Sequence, residues 1–300
     1  MCKVMYVLGI DIGGTNIKYG VTNGQDITQL IYYDSLPSSA SNGKDALLKS
    51  LIGLIKRSID RFNVKKVGIG IPGLVNPQTG TVSDPPHIPG WATVNLYEEL
   101  HKTELPIYVD NDANCFAMGE YILRQDASIK NLIGITLGTG IGGGIVLNGK
   151  IFRGKRGGAG EIGHIKVVPH GRQCGCSQHG CIEAYASDSG IQTISYEQYG
   201  KKLCSEELYD LVLQGDKKAN SIFSDVFEKL GIVCAGLVNL LAPDIVVFGG
   251  GLARMNEFLL TPVTRAMQEN CYRKLFENVR VEISQFDEKA AITGATKLCL

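Results

Sequence analysis

Short apolar runs alternate along the chain with longer segments of helical periodicity. Mainly apolar runs that predict buried strands lie at 4–12, 67–71, 106–109, 131–137 and 244–248. Apolar residues at helical spacing predict helices at 43–62, 221–241 and 256–272, and a closing helix at 290–300. Such an alternation is typical of an α/β fold, in which ligands usually bind at the carboxyl ends of strands.

A weak internal repeat relates two strands that each precede a glycine-rich turn. Leu8–Gly13 and Ile133–Gly138 share one pattern of apolar and glycine positions, and a second apolar strand follows each turn. The separation between the copies is far longer than the period of a solenoid repeat. The repeat therefore predicts duplication of a domain core, with two similar lobes that face a common nucleotide.

The first of these turns carries chemistry suited to a phosphate. Gly13 and Gly14 leave backbone N–H groups to face an anion, and Thr15 adds a hydroxyl. Asp11 precedes the turn and is placed to hold, through water, a cation bound to that phosphate. Gly-Gly turns are also common in ordinary hairpins, so this pattern alone leaves both interpretations open.

The second turn, Gly138-Thr139-Gly140, also matches a dinucleotide-binding pattern. Together with Gly143 it satisfies G-x-G-x-x-G. That fingerprint must open a helix, whereas here an apolar strand and an Asn-Gly hairpin follow. We therefore reject a dinucleotide site and interpret the loop as a second phosphate turn.

Polar or glycine residues follow three further strands. Gly73 ends the strand 67–71, and Gly249-Gly250-Gly251 follows 244–248, where it would let the chain lie flat against an adenine. Four of the five residues in Asp110-Asn111-Asp112-Ala113-Asn114 are polar, and a helix is predicted to follow them. A carboxylate there can take a proton from a hydroxyl. Asp or Asn before a helix is also an ordinary N-cap, and we expect one of these residues to be the cap.

One histidine and three cysteines stand at metal-ligand spacing: His164, Cys174, Cys176 and Cys181. Cys₃His is a usual donor set of structural zinc, and the interleaved glycines let the sulfurs converge. The alternative, three buried free thiols and a core histidine, fits a loop rich in Gly, Gln and Ser poorly. His170 and His179 are rival ligands, and His179 is expected to face solvent.

Two glutamates flank this segment, Glu161 before His164 and Glu183 after Cys181. If zinc takes one imidazole nitrogen of His164, the other is a fixed N–H donor. One donor and two carboxylate acceptors are what a polyol with several hydroxyls needs. Surface charges without a function are the alternative for both glutamates.

Composition excludes several classes of function. The 300 residues include 30 basic and 30 acidic side chains with no lysine-rich run, so there is no electrostatic case for nucleic acid. No apolar run approaches the roughly 20 residues of a membrane helix, and the N-terminus lacks a signal-peptide layout. Nine mostly scattered cysteines fit a reduced protein with one metal site. We expect a cytoplasmic protein without a nucleic-acid or membrane partner.

These motifs, in this order along nearly the whole chain, resemble the ROK family (repressors, open reading frames, sugar kinases) of the actin/hexokinase/Hsp70 superfold. They are Asp11–Thr15, Asn111–Asn114, Leu137–Gly144, Glu161–His164, the three cysteines with Glu183, and Phe248–Gly251. The resemblance implies an α/β, two-lobed actin-like ATPase (ribonuclease H-like) fold with a cleft between the lobes. Residues 1–112 plus 290–300 would form the small lobe. Residues 113–289 would form the large lobe, with a zinc-binding segment at 161–183.

The resemblance further implies an ATP-dependent sugar kinase acting on the 6-hydroxyl of a hexose, with magnesium and structural zinc. The residue that matches Asp112 is the general base in such kinases. The predicted sugar site comprises Gly73, Asn111, Asp112, Glu161, His164 and Glu183. The predicted nucleotide site comprises Asp11, Gly13, Gly14, Thr15, Lys18, Gly138, Thr139, Gly140, Gly249, Gly250 and Gly251. The family's zinc ligands match His164, Cys174, Cys176 and Cys181.

One departure from the family pattern concerns the sugar. Family glucokinases often have Pro-Asn-Leu-Pro-Gly-Trp where this chain has His87 in place of the Asn. Glucose is the first expectation, with N-acetylmannosamine or N-acetylglucosamine as alternatives. A sugar-sensing transcriptional regulator is a distant alternative, because family repressors place a helix-turn-helix before the first hairpin and Asp11 is only ten residues from the start. A homodimer is the family expectation.

Overall fold

The computed structural model describes residues 5–86, 88–286 and 288–300; His87, where the chain departs from the family pattern, lies outside them. The strands are β1 (Tyr6–Ile12), β2 (Asn16–Asn23), β3 (Asp26–Pro37), β4 (Lys66–Ile71), β5 (Leu74–Asn76), β6 (Thr81–Ser83), β7 (Thr93–Asn95), β8 (Ile107–Asn111), β9 (Leu132–Leu137), β10 (Ile141–Leu147), β11 (Lys150–Ile151), β12 (Ile245–Gly249) and β13 (Arg280–Ile283). The helices are α1 (Lys44–Phe62), α2 (Leu96–Glu99), α3 (Asp112–Arg124), α4 (Glu183–Ala186), α5 (Asp188–Tyr199), α6 (Ser205–Leu213), α7 (Lys217–Leu241), α8 (Glu257–Asn270), α9 (Arg273–Phe276) and α10 (Glu288–Lys297).

Residue contacts divide the chain into two compact units. The first takes the chain up to Ala127, together with Gly144–Gly160 and Phe286–Leu300. The second takes Ser128–Gly143 and Glu161–Gln285. Each unit has its own hydrophobic core, built from apolar strand residues and the helices that cover them. The predicted lobes, 1–112 plus 290–300 and 113–289, stay a prediction.

The first core sheet has the strand order β3-β2-β1-β4-β8. β1 pairs antiparallel with β2, and this hairpin sets Asp11 opposite Lys18. β1, β4 and β8 run parallel, so their carboxyl ends meet at one edge of the sheet. At this edge Asp11 pairs with Gly70, and Gly70 pairs with Asp110. The topology thus brings the first phosphate-type turn next to the polar cluster that follows β8.

The second core sheet has the order β11-β10-β9-β12-β13, which matches the first sheet strand for strand. β9 again starts a hairpin and pairs in parallel with β12, and β12 pairs in parallel with β13. The repeated hairpin is thus followed in both sheets by the same strand order, as the internal repeat predicts. The strand that follows Gly140 is β10, so the reason for rejecting a dinucleotide-binding helix is confirmed.

α3 and α10 pack backbone to backbone in the first unit. A Cβ on Gly119 would lie 1.7 Å from the Ala290 carbonyl oxygen, and a Cβ on Gly294 would lie 1.8 Å from the Cys115 carbonyl oxygen. Only glycine permits helices to approach this closely. This contact explains why α3 belongs to the same compact unit as the end of the chain.

Three features of the first unit differ from expectation. The segment 74–91, for which the sequence pattern predicts no strand or helix, contains β5 and β6, and these form a small sheet with β7. Trp91 is buried there and donates from Nε1 to the Val82 carbonyl at 3.2 Å. α2, which is not among the helices predicted above, is short, and a 3-10 turn, His101–Thr103, follows it. β3, with its largely exposed alternation, escaped prediction. β5, β6 and β7 have three residues each, which is too short for an alternation of apolar and polar positions to be visible in the sequence.

Among the described residues, no helix has both the length and the apolar character that crossing a bilayer requires.

Candidate functional site

The turn between β1 and β2 is held from one side and open on the other. The Gly13 N–H donates to the Asn16 carbonyl at 2.9 Å. Ser38 donates from its hydroxyl to the Gly14 carbonyl at 2.8 Å and from its N–H to the Thr15 carbonyl at 2.9 Å. Gly14 and Thr15 are exposed, and a Cβ on Gly14 would meet nothing within 4 Å. The fixed, open turn is suited to an anion that approaches its backbone N–H groups.

Asp11 lies beside this turn, half-buried at the end of β1. Burial, followed by the neighbouring Asp112 carboxylate, raises the pKa of Asp11 to about 7; Lys18 opposes the shift and Glu288 adds to it. Two carboxylates that disfavour each other's charge favour a bound cation, which would stabilise both in the ionised form. The chemistry of the pair therefore fits a divalent cation.

Lys18 is anchored by a residue that sequence reasoning missed. Its ammonium lies 2.9 Å from Glu288 Oε1 at the start of α10, and the Tyr33 hydroxyl donates to Glu288 Oε2 at 2.5 Å. Glu288 follows Lys18 by most of the chain, and only the fold brings them together. The lysine is thus held beside the turn rather than left to rotate in solvent.

The residues of the polar cluster after β8 differ in their contacts and therefore in their roles. Asp110 is buried, with one oxygen 2.7 Å from both Nε and Nη2 of Arg153 and the other accepting from the Asn114 amide at 3.0 Å. Asn111 is the N-cap of α3, because its Oδ1 accepts from the Ala113 and Asn114 N–H groups at 2.9 and 3.2 Å. Asp110 is therefore a structural residue, and the expectation that one residue of the cluster caps the helix is confirmed for Asn111.

Asp112 is the first residue of α3 and is half-buried. Its Oδ1 accepts from the Ala113 N–H at 2.9 Å. A carboxylate at a helix N-terminus is stabilised in its ionised form by the helix dipole. Asp112 thus presents a carboxylate acceptor at the same sheet edge as Asp11.

Gly73 lies next to this junction, where the Asn111 amide donates to its carbonyl at 3.2 Å. The residue has φ +103°, and a Cβ would lie 2.8 Å from the Ser83 carbonyl oxygen. Both the backbone conformation and the close approach require glycine here. The predicted sugar-site residues of the first unit, Gly73, Asn111 and Asp112, are therefore brought together.

The four predicted metal ligands converge in the second unit. Their ligand atoms all lie within 4.8 Å of one another. Cys176 Sγ and Cys181 Sγ are 3.7 Å apart, and Cys174 Sγ is 3.7 Å from His164 Nδ1. Two sulfurs at about 2.3 Å from one tetrahedral zinc would be about 3.8 Å apart, so the spacing fits this ion. Burial raises the pKa of the Cys174 thiol to about 12, which a bound cation would reverse.

The rival ligands do not join this group: His170 and His179 are both exposed, and neither belongs to the converging set. His164 turns Nδ1 toward Cys174 and Nε2 toward Glu161, whose Oε2 lies 4.0 Å away. Desolvation raises the pKa of Glu161, with His164 opposing the shift and Glu183 adding to it. The imidazole thus presents one nitrogen to the cluster and the other to a carboxylate.

Glu183 makes contacts that the sequence did not predict. Its Oε2 accepts from the Ile141 N–H at 2.9 Å, and Cys174 Sγ donates to its Oε1 at 3.5 Å. A Cβ on Gly140 would lie 2.6 Å from Glu183 Oε2. The carboxylate therefore lies between the cysteine cluster and the second glycine-rich turn, and the only sequence signal for this was the glycine at 140.

The second turn lies at the carboxyl end of β9. The Gly138 N–H donates to the Gly140 carbonyl at 3.0 Å, and Thr139 is exposed at the tip. The neighbouring strand β12 ends at Gly249, whose partner in β9 is Thr136. Gly250 has φ +89°, and a Cβ there would lie 2.4 Å from the Leu137 carbonyl oxygen. Gly138–Gly140 and Gly249–Gly251 therefore follow adjacent parallel strands at one sheet edge.

The chain is similar over nearly its whole length to known proteins. A profile of the ROK family matches residues 7–300. The glucokinase of Thermotoga maritima is 32% identical over 308 residues, covering 97% of this chain and 96% of that protein. The N-acetyl-D-glucosamine kinase of Salmonella typhimurium is 31% identical over 307 residues, covering 97% of this chain and 98% of that protein.

Among solved structures, a ROK family glucokinase from Streptomyces griseus, in complex with glucose and AMPPNP, has a TM-score of 0.84 and 28% identity. The similarity covers 98% of this chain and 98% of that one. The actin-like α/β fold expected from the sequence is therefore confirmed.

Proposed function

Since this chain belongs to the ROK family, we propose that it is an ATP-dependent kinase that phosphorylates the 6-hydroxyl of a hexose, with glucose as the first candidate. The observation that carries the proposal is the position of Asp112, a carboxylate acceptor at the sheet edge that also holds Asp11 and the open Gly13–Thr15 turn. Phosphoryl transfer needs a positioned hydroxyl, a base and charge stabilisation more than covalent chemistry. This edge of the first unit offers groups for each.

Asp112 would act as the general base. Its carboxylate would accept a hydrogen bond from the sugar hydroxyl and take the proton as the sugar oxygen bonds to the γ-phosphorus, while the bond from that phosphorus to the bridging oxygen breaks and ADP leaves. The hydrogen bond from the Ala113 N–H fixes the carboxylate's orientation. Asn111, already oriented by its capping role, would contact a neighbouring hydroxyl through its side-chain amide.

The Gly13–Thr15 turn would bind phosphate through its backbone N–H groups, with Lys18 supplying positive charge. The Gly138–Gly140 turn of the second unit would bind phosphate in the same way, as the resemblance to the family implies. Such preformed donors stabilise the charge that develops during transfer. Asp11 would hold a magnesium ion through water, and this ion supplies neutralisation of phosphate charge. Gly249–Gly251 would border the adenine, since these residues present backbone rather than side chains.

His164, Cys174, Cys176 and Cys181 would hold a structural zinc ion, as their donor chemistry and spacing support. Because Nδ1 faces Cys174, it would be the nitrogen that binds the ion, and His164 Nε2 would then be a fixed N–H donor. The 4.0 Å between Nε2 and Glu161 Oε2 leaves room for one sugar hydroxyl to accept from the imidazole and donate to the carboxylate. Glu183 would contact the sugar through the carboxylate oxygen that does not bind Ile141. The two-lobed division and a homodimer belong to this proposal as family features.

An N-acetylated hexosamine is the second candidate, because one similar relative is an N-acetyl-D-glucosamine kinase. The test is ADP release with magnesium and ATP against glucose, mannose, N-acetylglucosamine, N-acetylmannosamine and fructose. The proposal predicts that glucose gives the highest kcat/KM. A higher value for an acetylated sugar would correct the substrate alone. Tight sugar binding in calorimetry with no turnover on any sugar would contradict the kinase and favour a regulator.

A further inference from the structure

The Gly138–Gly140 turn is held from both ends of the cysteine-containing segment. On one side, Gly163 approaches so closely that a Cβ would lie 2.4 Å from the Ile141 carbonyl oxygen. On the other side, Glu183 accepts from the Ile141 N–H at 2.9 Å, and the Asp188 N–H donates to the Gly138 carbonyl at 2.9 Å. The shape of this turn therefore depends on where the segment's two ends lie.

The path from the cluster to Glu183 is short and rigid. Cys181 is buried and is followed after one residue by Glu183, the first residue of α4. The Ala184 N–H donates to the Cys181 carbonyl at 3.1 Å, and the Ile182 N–H donates to the Ile165 carbonyl at 2.9 Å. A metal ion that fixes the sulfur of Cys181 thus also fixes the backbone that carries Glu183.

We propose that Glu183 is a positioning residue that couples metal occupancy of the cysteine cluster to the shape of the Gly138–Gly140 turn, so that metal loss weakens nucleotide binding even without sugar. The inference rests on the proposed nucleotide role of this turn. It adds to the sugar contact expected of Glu183, because the two carboxylate oxygens face different neighbours. The cluster would then affect both substrates rather than the sugar alone.

Two substitutions separate geometry from charge. Glu183→Gln keeps the length of the side chain and an oxygen that accepts from Ile141, whereas Glu183→Asp keeps the charge but withdraws the oxygens by one carbon. If the coupling holds, Glu183→Gln should bind nucleotide with an affinity within about threefold of the wild type. The coupling predicts that Asp and Ala lose at least about tenfold, the scale of one lost charge-assisted hydrogen bond. A purely electrostatic role, in which the carboxylate repels the nucleotide's phosphates, predicts that Glu183→Gln strengthens binding and that Glu183→Asp leaves it nearly unchanged.

The experiment measures the Kd of magnesium-AMPPNP by calorimetry without sugar, for zinc-loaded and chelator-stripped protein. Stripping the wild type should weaken binding at least about tenfold, and stripping Glu183→Ala should weaken it little further, because both changes act through one contact. Zinc content and thermal unfolding are measured on each sample. Glu207→Ala is the matched control, since Glu207 accepts from the Cys204 N–H at the start of α6 and touches neither the cluster nor the turn.

Wild-type affinity in Glu183→Asp and Glu183→Ala, or an equal loss on stripping in wild type and Glu183→Ala, overturns the coupling. These outcomes leave the kinase proposal intact, because the wild type still binds nucleotide. Wild-type protein that binds no AMPPNP in either state contradicts both proposals together.

Discussion

Asp112 and Asp11 come from different strand ends and lie close enough that the Asp112 charge, after the larger effect of burial, raises the pKa of Asp11 to about 7. The two carboxylates belong to elements about a hundred positions apart in the chain. Parallel pairing of β1, β4 and β8 brings their carboxyl ends to one edge. The repulsion between these two carboxylates has measurable consequences, because only a bound cation would offset it.

The first consequence is a pH dependence of stability. The folded-state pKa of Asp11 lies above its ordinary value of 3.8, so the native state binds more protons between pH 4 and pH 7 than the unfolded state does. Stability should therefore fall as pH rises through this window and level off above it. The loss attributable to Asp11 is on the order of 1–4 kcal/mol.

Denaturant unfolding at pH 5 and pH 8, without added magnesium, measures this loss. Asp11→Asn should flatten the difference between the two pH values, since the variant has no carboxyl group to ionise. Magnesium should raise the stability of the wild type at pH 8 and leave Asp11→Asn unaffected. An identical pH dependence in wild type and variant would show that Asp11 titrates normally.

A second prediction separates the two aspartates around the cap. Asp110→Asn removes the charge that faces Arg153 inside the first unit, and we expect a loss of about 2–4 kcal/mol of unfolding free energy. We expect a smaller loss than for breaking a fully buried ion pair, because about a third of the Arg153 side chain remains exposed. Equilibrium unfolding of Asp110→Asn and Asp112→Asn tests this. Equal stabilities would contradict the structural role assigned to Asp110.

The third prediction concerns the cysteine cluster. Purified protein should contain one zinc ion per chain, and Cys176→Ser should reduce both the zinc content and the affinity for sugar in calorimetry. Cys271→Ser is the matched control, because Cys271 lies outside the converging ligands and should leave the zinc content unchanged. If the zinc-free protein bound sugar with full affinity, zinc would not be needed for the contact that we propose between His164 and the sugar.

The contact between α3 and α10 leads to the fourth prediction. Gly294→Ala places a Cβ against the Cys115 backbone and should cost at least about 1–3 kcal/mol, because neither helix backbone can move aside locally. Gly236→Ala in α7 is the control, since nothing lies within 4 Å of its Cβ position; there alanine should stabilise by about 0.5–1 kcal/mol. Equal effects of the two substitutions would contradict the packing described.

The local chemistry of the site could be predicted from the sequence where its residues are close along the chain. The Gly13–Thr15 turn and the three cysteines are of this kind, because spacing alone restricts what they can form. The Glu183–Ile141 hydrogen bond and the Lys18–Glu288 ion pair join distant segments, and no local pattern carries them. The sequence could not show which residue caps α3, because every Asp and Asn side chain of the cluster can accept the capping hydrogen bonds. The backbone geometry places Asn111 at that position.

We propose that Asp112 is the base of a hexose kinase, and its substitution tests this role. The most direct measurement compares kcat for ADP release with glucose, and calorimetric glucose affinity, between wild type and Asp112→Asn. We expect the variant to lose at least about 10² in kcat while it still binds glucose and unfolds at a similar temperature. Turnover by a folded Asp112→Asn variant at the wild-type rate would contradict it.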